Sequence, residues 1–235
     1  MMKNITPVTQ VALLIISLGV MSDTLAQDDV NQSSSDTLKS SFQQAVQSPL
    51  SELQHEWAHI NYALADKQKE NAFSPLIEKA KLFIQQDPSN PELIIWLGII
   101  QSSAAGAKGG LDALSYAKAA RKNFEHAMRL DEKALAGSAM TSLGVLYHKL
   151  PSWPISFGND KKAKKLLEHA LEINPDGIDP NYFYAEFLYD NGEYDKARAY
   201  VKKASQAPAR TDRPLADLGR RQEISRLEDK LLQKS

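Results

Sequence analysis

A short spacing of small and apolar residues, which occurs three times without gaps, constrains the fold most. An alanine is followed four positions later by a large apolar residue, and three positions after that by a second alanine. Steps of four and three place these residues on one face of an α-helix, where alanine lets a neighbouring helix approach closely. Each occurrence therefore predicts one helix of a packed pair. The three occurrences are Ala120, Phe124 and Ala127; Ala163, Leu167 and Ala170; and Ala197, Val201 and Ala204.

Upstream of each occurrence lies a second stretch that fits a partner helix, at residues 94–98, 140–147 and 181–188. Two short helices cannot bury their apolar faces alone, so repeated pairs must stack on one another. Near the carboxyl end, leucines and isoleucine spaced among Arg, Glu and Lys predict a further helix over residues 215–233. This helix is expected to cap the stack.

These residues resemble the tetratricopeptide repeat, a helix pair of about 34 residues. The resemblance rests on L-G-x2-Y at residues 143–147, on the alanine spacing and on closing pairs such as Asn174-Pro175. It extends over residues 50–205 and implies an all-α fold, a right-handed superhelix of tetratricopeptide helix pairs with a C-terminal capping helix. The implied units are 50–88, 90–132, 134–175 and 179–208, within a domain of residues 49–235.

The sequence departs from the family pattern in two ways. The tryptophan usual in the first helix is replaced by Ile94, Met140 and Asn181. The alanine spacing repeats after 34 residues between the last two units but after 43 between the middle ones, which indicates an insertion of about nine residues. The insertion contains two prolines and the large aromatics Trp153 and Phe157. It either anchors itself onto its helix pair or covers a binding groove.

The amino-terminal residues read as an export signal. A short head containing Lys3 is followed by an apolar stretch at residues 11–21 and by a small-residue cleavage site ending at Ala26. This stretch is too short for a membrane-spanning helix, which needs roughly 20 apolar residues. The sequence predicts a signal peptide at 1–26, a flexible linker at 27–48 and a periplasmic mature chain without a transmembrane span. A retained anchor stays open as an alternative.

The composition limits the classes of function. With 28 basic against 29 acidic side chains and a net charge of −1, a general nucleic-acid-binding role is not expected. The absence of cysteine excludes disulfides, thiolate metal sites and cysteine nucleophiles. We therefore expect no nucleic-acid partner and predict no cofactor.

A narrower resemblance runs over residues 143–190. This segment is similar to exported bacterial tetratricopeptide proteins and, more distantly, to the T component of TRAP-type solute transporters. That component usually carries a lipidated cysteine, which this chain lacks. The resemblance implies a periplasmic helical scaffold to which no established reaction is attached.

The sharpest catalytic motif is HEWAH at residues 55–59, which matches the zinc-protease pattern H-E-x-x-H. On a helix, His55 and His59 could hold zinc while Glu56 activates a water. No G-x-x-H follows, and no third ligand is evident beyond Glu78. We therefore favour a structural helix, with both histidines facing water, and expect no enzymatic activity.

Charged runs in the carboxyl half are interpreted mainly as structural. Asp160 is expected to cap a helix, and four lysines follow it within residues 161–165. These lysines form a solvated face or contact an anionic partner or membrane surface. Four arginines within residues 210–221 are expected to pair with Asp212 and Asp217 and to pin the last helix to the last unit.

The family resemblance also implies where a partner binds. In such a stack the first helix of each pair lines the concave side, and its second, fifth, ninth and twelfth positions face inward. Carried over to this sequence, these positions predict a groove that is apolar at one end and rich in tyrosine at the other. The groove residues are Ile95, Ile99, Ser102, Thr141, Val145, His148, Tyr182, Glu186 and Tyr189.

The sequence therefore predicts a non-enzymatic periplasmic scaffold or adaptor that binds a protein or peptide segment of the cell envelope in its concave groove. Its oligomeric state is not indicated. Two alternatives stay open. One is a solute-binding accessory component of a TRAP-type transporter, in which the insertion closes over a small organic acid. The other is a zinc hydrolase that uses the HEWAH motif.

Overall fold

The computed structural model describes residues 48–111 and 113–234. The predicted signal peptide at 1–26, and all of the predicted linker except its last residue, lie outside this part of the chain. Among the described residues, none of the helices combines the length and apolar character that crossing a bilayer requires. The helices are α1 (Pro49–Ala63), α2 (Asp66–Gln86), α3 (Pro91–Lys108), α4 (Ala113–Leu130), α5 (Ser138–Lys149), α6 (Asp160–Ile173), α7 (Ile178–Asp190), α8 (Tyr194–Gln206) and α9 (Pro214–Leu232), with a short 3-10 helix at Ala134–Gly137.

The first eight helices pack in sequential pairs, α1 with α2, α3 with α4, α5 with α6, and α7 with α8. Helix α9 follows the last pair and packs against it. This arrangement confirms the predicted all-α fold of tetratricopeptide helix pairs followed by a C-terminal helix.

The second helix of each of the last three pairs buries the face that the alanine spacing predicts. All six alanines of the spacing are fully buried, as is Phe124, and Leu167 and Val201 are nearly so. On the partner helices, glycine makes the close approach possible. A Cβ added at Gly98 would lie 2.6 Å from the Phe124 ring, and one added at Gly144 would lie 2.8 Å from Leu167 Cγ. In the pairs α3/α4 and α5/α6, a large side chain of the second helix therefore packs directly against a glycine of the first.

Helix caps follow the sequence in part. Asn90 caps α3, because its side chain accepts hydrogen bonds from the backbone of the first turn of the helix. The cap predicted at Asp160 is wrong, because the side chain that caps α6 belongs to Asn159. Helix α7 begins directly after Gly177, so Asp179 lies within its first turn. The carboxylates of Asp160 and Asp179 bind tertiary partners instead.

The last helix contacts the first helix as well as the last pair. Gly219 of α9 lies so close to Tyr62, near the end of α1, that an added Cβ would fall 2.4 Å from the Tyr62 ring. Helix α9 also packs on α7 and α8. The sequence predicts only that α9 contacts the last unit. Its contact with α1 is seen only in the tertiary structure.

Substitutions at two glycines of α3 test whether the contact between glycine and a large side chain stabilises a helix pair. We expect Gly98→Ala to lower the free energy of unfolding by about 1–3 kcal/mol, because the new methyl group must displace the Phe124 ring. Gly106→Ala is the matched control, since nothing lies within 4 Å of its added Cβ. It should raise stability by roughly 0.5–1 kcal/mol through helix propensity. Urea unfolding followed by circular dichroism measures both changes, and equal effects of the two variants would contradict a stabilising role of this contact.

Candidate functional site

A cavity of about 750 Å³ opens on the side of the stack that the first helix of each pair faces. Residues of α1, α3, α5 and α7 line it, together with α9 and the segment before α9, whereas the described residues of α2, α4, α6 and α8 do not. Its volume falls within the 300–1,000 Å³ typical of ligand pockets. The walls include Trp57, Tyr62, Trp96, Ile99, Ser102, Thr141, Ser142, Val145, Asp179, Phe183, Arg210, Arg213 and Arg220.

The structure brings four of the nine predicted groove residues together in this cavity. Ile99 and Ser102 come from α3, and Thr141 and Val145 from α5. These helices contribute residues spaced by three and four positions, as one face of a helix requires. The two middle units therefore bring these four side chains to one cavity.

Ile95 and Tyr182 lie elsewhere. Ile95 is fully buried in the core, one position away from Trp96, which lines the cavity in its place. Tyr182 is buried beneath Arg220, whose guanidinium carbon lies 4.6 Å from the centre of the tyrosine ring. Burial also raises the pKa of Tyr182 above its ordinary value.

The remaining three predicted groove residues lie outside the cavity lining, towards the carboxyl ends of α5 and α7. His148 Nε2 forms a hydrogen bond of 3.0 Å with a carboxylate oxygen of Asp190. Lys149 forms ion pairs with the carboxylates of Asp190 and Glu186. Tyr189 packs against the first residue of α8. These side chains form a polar cluster between α5 and α7 instead of a cavity wall.

Aromatic side chains from two units form one wall, and the sequence reasoning missed them. The ring of Trp57 meets that of Trp96 edge-on at 5.5 Å and that of Tyr62 at 5.6 Å. The indole nitrogen of Trp57 donates to Ser103 Oγ at 2.8 Å, which fixes its orientation. No local pattern could have revealed this wall, because its members are brought together by the packing of α1 on α3.

Three polar atoms of the lining residues are buried without a hydrogen-bond partner within the described ranges. They are the indole nitrogen of Trp96, the hydroxyl of Ser102 and Nε of Arg213. Arg213 Nε lies 3.4 Å from a carboxylate oxygen of Asp212, which makes an ion pair without a hydrogen bond. Buried polar atoms are normally paired, so each of these residues next to the cavity leaves a hydrogen-bond donor unused.

Two arginines meet one aspartate at the floor of the cavity. Arg220 Nε donates to Asp179 at 2.8 Å, and Arg210 Nη1 donates to the other carboxylate oxygen at 2.7 Å. Burial alone would raise the pKa of Asp179, but the two guanidinium groups hold it below its ordinary value. Asp217, bound by Arg210 and Arg221, continues the network. The expectation that these arginines are structural is confirmed, with Asp179 as an additional partner.

The contacts of the HEWAH motif are structural. His55 Nε2 donates to the carbonyl oxygen of Asp212 at 2.9 Å, which leaves no lone pair on that nitrogen for a metal. Glu56 forms an ion pair with Lys79, and His59 is exposed on the surface. No group of three His, Cys, Asp or Glu side chains in the described part of the chain is placed to hold a metal ion.

The insertion between α5 and α6 does not line the cavity. Phe157 anchors it, because its ring packs edge-on against Tyr147 at 5.6 Å and lies 5.0 Å from the guanidinium carbon of Arg121. Trp153 is 85% exposed. The loop instead borders a second, smaller cleft of about 450 Å³ against α4.

Comparison with protein families identifies one match. Residues 157–218, which span α6, α7, α8 and the start of α9, match the tetratricopeptide repeat family. Comparison with curated proteins found no match to the chain. The chain therefore contains a tetratricopeptide repeat, a class of domain that generally serves as a scaffold for protein–protein interaction and is usually non-enzymatic.

Asp179→Asn tests the charge network below the cavity. Removing this charge leaves two guanidinium groups facing each other, so we expect the free energy of unfolding to fall by about 2 kcal/mol at neutral pH. Because the pKa of Asp179 is lowered in the folded protein, the difference from wild type should be full above the ordinary aspartate pKa of about 4. It should shrink as the pH falls through the lowered pKa of the folded state.

Urea unfolding at a series of pH values measures this difference. The matched control is Asp195→Asn, whose carboxylate pairs with Arg198 on the open surface and should contribute little. A difference between Asp179→Asn and wild type that stays constant on acidification would contradict the assignment.

Proposed function

We propose that the protein is a non-enzymatic adaptor of the bacterial cell envelope that binds a segment of another protein in its cavity. The observation that supports this most is that the first helix of every pair contributes to one cavity. The presence of a tetratricopeptide repeat agrees with a role as an interaction scaffold.

The chemistry of the cavity walls favours a peptide-like ligand. Ile99, Val145 and Phe183 provide apolar surface, while Ser102 and Ser142 place hydroxyl groups beside it. A polypeptide presents apolar side chains and backbone amides together, which matches this mixture. A volume of about 750 Å³ seats a few side chains rather than a whole helix, whose diameter is about 10–12 Å.

The unpaired indole nitrogen of Trp96 supports the same ligand. An indole N–H is a donor only, and within the described residues it has no acceptor. The nitrogen is covered in this structure, so the backbone carbonyl of a bound segment would supply that acceptor once the Trp96 ring turns towards the cavity. Such a turn would relieve an unsatisfied buried donor, which is costly.

The envelope location depends on the predicted signal peptide at residues 1–26. After its removal the chain would act in the periplasm. The nearly balanced charge of the chain agrees with a protein partner rather than a nucleic acid.

Filling the cavity should abolish partner binding. Ser142 lines the cavity from α5, so Ser142→Trp would place an indole where the segment is proposed to lie. With wild type and variant as paired baits in envelope extracts of the source organism, we expect at least one protein to be captured by wild type and lost with Ser142→Trp. Quantitative mass spectrometry measures the ratio, which should exceed about tenfold for a loss of 1.4 kcal/mol or more.

The matched control is Glu172→Trp, which adds the same side chain at an exposed position of α6 outside the cavity. It should capture the same proteins as wild type. Equal capture by Ser142→Trp and wild type would contradict binding in the cavity.

A second candidate ligand is a small organic acid, as in the accessory component of a TRAP-type transporter. The observation that favours it is the buried Nε of Arg213, which lacks a hydrogen-bond partner among the described residues. A carboxylate could accept from Arg213, and the apolar wall at Ile99 and Val145 could hold the carbon chain. The insertion would take no part in closing such a site, since it lies outside the cavity.

A thermal-shift screen of carboxylic acids with different chain lengths tests this candidate. A ligand at 100 times its Kd should stabilise the fold by about 2.7 kcal/mol. Arg213→Met should remove the stabilisation, while Arg129→Met, a change of the same kind at the end of α4, should retain it. No shift with any acid, or an unchanged shift in Arg213→Met, would exclude a small carboxylate bound at this arginine.

A further inference from the structure

The insertion between α5 and α6 exposes two large apolar side chains next to each other. Trp153 is 85% exposed and Ile155 is 63% exposed, and the prolines on either side of Trp153 are exposed as well. Isolated exposed apolar residues are ordinary on protein surfaces, but a tryptophan and an isoleucine at one loop tip form a local apolar projection.

The base of the loop is held firmly while its tip projects. The backbone N–H of Gly158 donates to the Pro151 carbonyl at 3.0 Å, and that of Asn159 donates to the Tyr147 carbonyl at 2.8 Å. A Cβ at Gly158 would lie 1.9 Å from the Leu150 carbonyl oxygen, so only glycine fits this approach. The exposed position of Trp153 is therefore set by the fold of the loop.

Lysines of α4 and α6 lie near the insertion. Lys118 and Lys122 of α4 line the 450 Å³ cleft together with Ile155. The ammonium of Lys162 lies 5.3 Å from the centre of the Tyr147 ring, against which Phe157 of the insertion packs. Lys161 precedes it in the first turn of α6.

Nearby carboxylates do not neutralise these lysines. Glu125 pairs with Arg121, and Asp160 is bound to His148. None of the four lysines forms an ion pair with a carboxylate in the part of the chain that the structure describes. The rim of the loop is therefore positively charged.

An anionic bilayer fits this surface better than a protein does. The apolar part consists of two side chains on a projection, much less than the roughly 1,000 Å² that a stable protein interface buries. A membrane interface accepts single side chains, and tryptophan favours the headgroup region in particular. Lysines around it would attract anionic phosphate groups.

We propose that the insertion, residues 150–159, is a membrane-docking loop: Trp153 and Ile155 enter the headgroup region of a bilayer, and Lys118, Lys122 and Lys162 bind the phosphates of anionic phospholipids. This surface is separate from the cavity and does not rest on the proposed function. Docking would hold the adaptor at a membrane while the cavity remains available to a partner.

Vesicle flotation of the full chain tests the apolar contact. Vesicles of phosphatidylcholine with phosphatidylglycerol at about 2:1 are compared with phosphatidylcholine alone. We expect wild type to bind the anionic vesicles and W153S/I155S to bind them at least about tenfold more weakly. The control is L82S/L218S, which removes two exposed leucines elsewhere, 56% and 55% exposed, and should bind like wild type. The apolar stretch at residues 11–21 is present in every variant and contributes equally.

A second pair of variants tests the contact between the lysines and the lipid phosphates. K118E/K122E should weaken binding to anionic vesicles at least about fivefold and reduce its dependence on salt. K202E/K230E makes the same charge change on exposed lysines of α8 and α9 and should bind more strongly than K118E/K122E.

Brominated phospholipids give a readout specific for Trp153. They should quench its fluorescence in bound wild type, while Trp96 is buried and Trp57 lies in the cavity wall. Trp153→Phe should retain binding but lose the quenching.

The proposal is wrong if wild type binds both vesicle types equally, if W153S/I155S binds like wild type, or if bromolipid quenching persists in Trp153→Phe. If wild type binds neither vesicle type, an acidic protein surface is the alternative partner of this loop. That outcome would leave the cavity proposal unaffected.

Discussion

The close approach of the two helices within a pair is the constraint on which the rest of the structure depends. Gly98 and Gly144 leave no room for a Cβ because Phe124 and Leu167 sit directly on them. This contact fixes which face of α3 and of α5 is covered by its partner helix. The opposite faces are thereby left to line one common cavity.

Helix α9 turns this surface into a bounded cavity. Its contact with α1 at Gly219 and Tyr62 brings the last helix against the first, and the pairing of Arg220 with Asp179 ties it to α7. Removing water from these charges costs free energy, which the hydrogen bonds between arginine and aspartate offset. The same arginines give the floor of the cavity its polar character, so the group that stabilises the fold also sets what the cavity can bind.

Much of the fold could be predicted, but only part of the candidate site. The prediction placed Ile99 and Val145 on inner faces, and both line the cavity. On α7 the cavity uses the first turns, including Asp179 and Phe183, whereas the prediction used later positions such as Tyr189. The difference arises because a family pattern fixes which face of a helix points inward. It does not fix which turns along that helix line a cavity shared with its neighbours. That the predicted positions form a binding groove stays a prediction.

The residues by themselves determined that the described chain folds into stacked helix pairs, because the spacing of Ala163, Leu167 and Ala170 encodes a helix face locally. They also determined that a rigid insertion interrupts the stack. Only the tertiary structure decided that Tyr62 meets Gly219, that Trp57 and Trp96 share a wall, and that the insertion turns away from the cavity. Such contacts join residues far apart in the chain, and no local spacing specifies them.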